Sequence, residues 1–432
     1  MGSGSPPVSP VVSAFHTALV EQLLVVVALV VGVWAAWNAL RNARYRRSLT
    51  DGVLPAHRPR VAVVPEPPAR KLLRLGFGWL WIFDGLLQLQ SGMPLGMPDG
   101  VIRPAASSSP VWLRALVDYG ATLWSRHPVM VAASVVWIQL GVGILLLVAP
   151  RGWWSRWAGL AAVGWALVVW VFGEALGGIL APGASWLFGA PGAAVFYAVA
   201  GVLLALPDGA WSGGRVGRLV LRVGGVFFLV MAVLQAWPGR GFWQGAEGKA
   251  SAGSLLLMVK QMAQTSQPAF LVDVLHAFGH LDASHGWAVN LVVVGALAVI
   301  GLALCTASVP LMRPALWAAV ALCTATWVLV QDLGFLGGVG TDPNSMVPLV
   351  LVLASGFLAV VRPAEAVRRE TEQPVRTAGC SGSAVVDARP VVTGGPWWHR
   401  ASLGYLTRVA GASAALGVVV VGVLPMSWAA LR

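Results

Sequence analysis

The 432-residue chain alternates long apolar stretches with short polar ones. Ten apolar stretches are long enough, or nearly so, to cross a bilayer, at about 17–38, 72–90, 128–149, 155–179, 188–206, 219–236, 286–306, 314–334, 346–361 and 405–424. A backbone polar group without a partner is costly in lipid, so each stretch is expected to be a helix. The pattern predicts an all-α polytopic membrane protein with about ten transmembrane helices.

Composition excludes the main alternative. Hydrophobic residues make up 57% of the chain and charged ones only 11%, against about 25% charged in an ordinary soluble domain. The net charge of +12 brings nucleic acid to mind, but the positions of the charges argue otherwise. With the N-terminus placed outside and the spans alternating, 22 of the 29 Lys and Arg fall on the inner side, helix ends included, and 7 on the outer. That asymmetry predicts a multi-pass plasma-membrane protein with both termini extracytoplasmic. It accounts for the charge without nucleic acid and makes the lipid bilayer the first partner. The basic arm Arg41–Arg47 suits anionic head groups. Around the spans, 1–16 reads as an outer tail, 39–71 as a basic cytoplasmic linker and 207–218 as a shorter one. The Pro-, Gly- and Arg-rich segment 362–404 is expected to be disordered. The opening MGSGSPPVSP lacks the basic region of a secretory signal.

Two stretches, 72–206 and 219–361, resemble each other. Each opens on a basic helix start, which pairs Arg74 and Gly76 with Arg222 and Gly224. A long loop with an amphipathic stretch follows, ending at Pro128 and at Pro268, and then come three more spans. The phrases WVFGEALGGILAPGAS and WVLVQDLGFLGGVGTDPNS pair Glu174 with Asp332. The expected architecture is two parallel four-helix repeats with one flanking helix at each end. A four-helix unit in this order, opened by Arg74 and Gly76 and carrying a long loop after its first helix, resembles the DoxX-like integral membrane family. The resemblance covers the two repeats and implies four-helix bundles linked, in some members, to quinone or thiol redox complexes. It transfers no catalytic residue, and the tandem arrangement with two added spans departs from a single-unit member.

Ionisable residues within spans cost about 2.5–3.5 kcal/mol on insertion scales, so each asks for a reason. Glu21, Asp84, Glu174 and Asp332 are the acids, with Gln22, Gln88, Gln139, Asn290 and Gln331 as amide companions. Asp84 and Gln88 are four residues apart and share a helix face. Asp84, Gln88, Glu174 and Asp332 are expected to line a polar chamber that opens outward between the repeats and binds substrate or protons. The bland reading has the acids capping turns or pairing with Arg126 or Arg240.

The segment 269–285 places Asp273, His276 and His280 on one helix face, followed by Asp282 and His285. Asp273, His276, His280 and His285 form a candidate metal set of nitrogen and oxygen donors; an amphipathic interfacial helix is the competing reading. Met93 and Met97 are either soft ligands or ordinary apolar contacts. Cys305, Cys323 and Cys380 show no paired spacing. There is no Walker A phosphate loop and no nucleophile elbow, so no ATPase or hydrolase chemistry is indicated, and no cofactor is specified.

Three readings stay open: a transporter or small-molecule-binding protein not driven by ATP, a membrane component of a redox or metal-handling system, and a structural or assembly partner of another membrane protein. Metal analysis of the purified protein, beside His276→Ala and His280→Ala, tests the metal set: stoichiometric metal lost in both variants supports it, and its absence removes it.

Overall fold

A computed structural model describes residues 10–50, 66–243, 253–306, 308–336 and 339–372. The described residues form helices joined by turns, with no strand among them. The longer helices are α1 (Pro10–Thr50), α2 (Pro68–Leu87), α3 (Val111–Arg126), α4 (Pro128–Val148), α5 (Gly152–Val168) and α6 (Ala193–Ala205). They continue as α7 (Arg215–Ala236), α8 (Ser254–Ala263), α9 (Ala269–Thr306), α10 (Val309–Leu329) and α11 (Met346–Glu372). Prolines at the first turns of α2, α4 and α10 sit where their missing N–H is not needed.

Six helical stretches are long and apolar enough to cross a membrane: Pro10–Leu29, Pro128–Val148, Gly152–Gly173, Arg215–Ala236, Ala269–Thr306 and Val309–Leu329. This is an α-helical membrane architecture. Three expected spans have a different character. The α2 helix carries Arg70, Lys71, Arg74 and Asp84, while α6 and the Met346–Val361 part of α11 are short apolar helices. The tenth, 405–424, lies outside the described residues, as do most of the segment expected to be disordered and part of the basic linker. Where those two segments are described, they are helical: α1 runs on to Thr50 and α11 to Glu372. The stretch expected at 155–179 ends earlier, because α5 widens into a looser turn at Val169–Gly173 and then breaks. Non-helical backbone at His285 divides α9 into an outer piece and the expected membrane helix.

Small residues set the helix crossings. The α2 and α4 helices meet at Gly78 and Gly143, α5 and α6 at Gly159 and Gly201, α7 and α9 at Gly225 and Gly301, and α7 and α11 at Gly217 and Gly356. At each crossing an added Cβ would press on the partner helix. Close backbone approach of this kind supplies van der Waals packing where lipid supplies no hydrophobic drive. The α11 helix lies against both α2 and α7 and joins the two halves.

The two halves also exchange segments. Trp186, in the loop after α5, is fully buried in the core of the second half against Phe227 and Phe228, and its indole N–H donates to Thr326 Oγ1 at 3.3 Å. In return the segment before α11 reaches the first half. Gln90 Nε2 donates to the Gly340 carbonyl at 3.1 Å, and Ser345 Oγ donates to the Gly189 carbonyl at 2.7 Å.

Two buried guanidiniums fasten the end of the first half at which α2 begins. Arg70 donates to the carbonyls of Pro150 (2.6 Å) and Leu204 (2.9 Å) and to Ser155 Oγ (2.6 Å). Arg74 donates to the carbonyls of Leu146 and Leu147, both at 2.8 Å, and pairs bidentately with Glu66 at 2.9 Å. Arg70 also bonds Glu66, at 3.1 Å. These carbonyls lie at the last turns of α4 and α6, where cations and spare donors are most favourable. Arg74 is therefore a structural clamp. Arg222, its expected counterpart, is exposed.

The Gly143 Cα approaches the Gly78 carbonyl so closely that a Cβ would sit 2.8 Å from it and 2.9 Å from the Ile82 amide nitrogen. Gly143→Val should destabilise by about 1–3 kcal/mol. Gly164→Val, with nothing within 4 Å of its would-be Cβ, should change stability by under about 0.5 kcal/mol. Thermal unfolding in detergent compares the two, and equal behaviour would contradict the crossing.

Candidate functional site

The site lies at the end of the first half opposite the Arg70 and Arg74 clamp. It begins with the break after α5. Trp170 Nε1 donates to the Pro191 carbonyl at 2.8 Å, and the chain then passes through left-handed backbone at Ala175, Leu176, Gly177 and Gly178. This turn swings Glu174 onto the start of α6, where its carboxylate accepts from the Ala194 N–H at 3.1 Å. A helix N-terminus has free N–H groups and a positive dipole end, so a carboxylate fits there without a basic partner. Gly192 precedes α6 at φ 97° and leaves room for Glu174; a Cβ there would meet Glu174 Oε2.

Glu174 faces a cavity of about 220 Å³ with a mostly apolar lining. The α2 helix contributes Trp81, Asp84 and Gln88, α4 contributes Gln139, and α6 contributes Tyr197. The α3 helix covers it with Tyr119, Gly120 and Trp124. Trp124 Nε1 donates to the Pro94 carbonyl at 3.0 Å, which ties α3 to the turn carrying Met97 and Ile102, two further lining residues. Thr341 and Asp342 enter from the segment before α11. The Asp342 carboxylate accepts from Asn344 N–H (2.7 Å) and Thr341 Oγ1 (2.8 Å). Burial pushes the Asp342 carboxyl above its usual range, and these two hydrogen bonds pull the other way.

Several polar atoms turned to this space have no protein partner. Asp84 Oδ1, Gln88 Oε1, Gln139 Oε1 and the Trp81 and Trp165 indole nitrogens are buried and unpaired among the described residues, and the Tyr197 hydroxyl has Asp84 beside it. Asp84 and Gln88 are each 2% exposed, and Tyr197 3%. Buried polar groups in native proteins nearly always have a partner, so this cluster marks a place for a bound species.

The structure brings together Asp84, Gln88 and Glu174 as expected, but not between the two halves. The cavity lies inside the first half, and the second half adds only its Thr341–Asp342 segment. Asp332 is buried in the loop after α10 and does not line the cavity. The reason is one of register. Trp170 and Trp327 each precede a run of left-handed backbone by five positions, at Ala175, Leu176 and Gly177 and at Asp332, Leu333 and Gly334. Asp332 thus holds the place of Ala175, and Gln331 that of Glu174. The buried faces of α2 and α7 tell the same story. Arg74, Gly78, Trp81, Asp84 and Gln88 match in spacing Leu221, Gly225, Phe228, Met231 and Gln235. Gln235 Nε2 donates to Asn290 Oδ1 at 2.8 Å, with Gln235 Oε1 and Asn290 Nδ2 left unpaired, and the neighbouring Phe228 and Met231 belong to the apolar core of the second half.

Glu21 is exposed on α1, and Gln22 Oε1 is buried without a partner there. Met93 is fully buried beside Phe15 in an apolar core. The candidate metal set is not supported: Asp273, His276, His280 and His285 are all exposed along the outer part of α9. Among the described residues no three His, Cys, Asp or Glu groups come together as a ligand set. Sharing one helix face does not by itself bring donors within bonding distance of one ion. Tyr197, Asp342 and Trp81 are the members that sequence reasoning missed. Comparison with protein-family models, with curated proteins and with solved structures finds no match.

Glu174→Ala would leave the first N–H groups of α6 unpaired and should cost about 0.5–2 kcal/mol, with Glu174→Gln recovering part of it. Unfolding of the three proteins in one detergent checks this, and an unchanged Glu174→Ala protein would contradict the cap.

Proposed function

We propose that the chain is a multi-pass membrane protein that binds a small molecule in the cavity beneath α3 and moves it, or protons with it, without ATP. The observation that carries this reading is the set of buried, unpaired polar atoms around Asp84 in an apolar cavity. Concave, mostly apolar spaces with a few convergent polar groups are the usual form of small-molecule sites, and ionisable groups at membrane depth mark substrate and ion pathways. The cover formed by α3 and the turn before it is the natural moving part.

The same reading takes the two halves as tandem four-helix units, with the DoxX-like resemblance as their prototype. The order of a first helix, an amphipathic helix, and three further helices occurs twice, α2 to α6 and α7 to α11. The matching buried faces and matching left-handed turns support it. With the basic ends of α2 and α7 inside, the cavity faces the extracytoplasmic side of the plasma membrane, and both termini lie on that side.

The test uses proteoliposomes with a trapped pH-sensitive dye under an imposed potential. Asp84→Asn and Glu174→Gln should each slow proton movement by about tenfold or more. Wild-type flux in both variants would sink the reading.

A further inference from the structure

The charge of the cavity is one-sided. It presents Asp84, Glu174 and Asp342, and among the described residues no Lys, Arg or His lines it. Glu174 has its helix N–H, and Asp342 has Thr341 and Asn344. Asp84 has only the Tyr197 hydroxyl beside it and no N–H or cation, and its Oδ1 is buried without a partner. Electron-rich groups surround it. The rings of Trp81 and Tyr197 meet edge to face with centroids 4.7 Å apart. The amide oxygens of Gln88 and Gln139 are buried acceptors with nothing donating to them.

This arrangement selects by charge. An anion would face three carboxyl groups with no compensating cation. A neutral apolar solute would fill the space and leave the acceptors unpaired, at the desolvation cost that such groups carry. A hard metal ion needs six or more oxygen ligands close around one point, and among the described residues no three His, Cys, Asp or Glu groups converge in that way. An ammonium group satisfies the carboxylate and the amide oxygens together and is drawn to aromatic faces. Its organic body would lie against the apolar side chains of Val131, Val135 and Phe172.

Resting on the small-molecule reading above, we propose that the cavity is a binding site for a monovalent organic cation, an ammonium group on an apolar or aromatic body. Asp84 is its counter-ion, and Trp81 and Tyr197 flank it.

The test measures equilibrium binding to the full chain in nanodiscs with three probes of similar shape: benzylammonium, its neutral isostere ethylbenzene, and the anion benzenesulfonate. The cation should bind saturably and at least about tenfold more tightly than either other probe, or ~1.4 kcal/mol. Asp84→Asn should abolish that preference and Asp84→Glu should keep it. Asp273→Asn, exposed on α9, should change nothing. If Asp84→Asn fails to fold, Trp81→Leu serves, and should weaken the cation more than the neutral probe. Equal binding of cation and isostere to the wild-type protein overturns this inference and leaves the small-molecule reading standing. Unchanged cation preference in Asp84→Asn also overturns it. Binding of none of the three probes overturns both.

Discussion

A helix that ends in an apolar medium leaves backbone groups that water cannot satisfy, and the first half of this protein satisfies them with charged side chains from elsewhere in the chain. At one end Arg70 and Arg74 take up carbonyls of the last turns of α4 and α6. At the other, Glu174 takes up an N–H of the first turn of α6. Burying a charge is costly unless it is paired and hydrogen-bonded. Here each charge completes a helix end, and Glu66 and Asp208 balance the two guanidiniums. The three helices α2, α4 and α6 are thereby held at a fixed spacing.

That spacing is what the cavity requires. The left-handed turn after α5 brings Glu174 to the start of α6, beside the cavity that Tyr197 lines. The loop continues into the second half, where Trp186 is buried against Phe227 and Phe228. The second half returns Asp342. The exchange adds Trp186 to the core of the second half and a carboxyl to the cavity of the first. Two chain halves with the same order of helices thus differ in what their buried faces carry. The differences lie at a few positions: Met231 where the first half has Asp84, and Gln331 where it has Glu174.

Hydropathy made the class and most of the helices legible, because the membrane demands long apolar runs. It also singled out Asp84, Gln88 and Glu174, since polar residues stand out in such runs. Three things were not legible. The pairing of Glu174 with Asp332 was off by one position, because apolar sequences align equally well in adjacent registers and only the left-handed backbone fixes the frame. Tyr197 and Trp81 read as ordinary aromatic residues until α2 and α6 are packed together. Asp342, with its neighbour Thr341, lies more than a hundred residues from the rest of the lining, and no spacing rule could place it there. For the histidine segment a shared helix face left a ligand set and an amphipathic surface both open, and the exposure of its side chains favours the second.

A cryo-electron microscopy map of the protein in nanodiscs, at side-chain resolution, tests the central claim most directly. It should show Asp84, Glu174 and Asp342 around one cavity beneath α3, with Trp186 buried in the second half. A map in which Asp342 turns to the outer solution and Asp84 packs in a filled core would contradict the account.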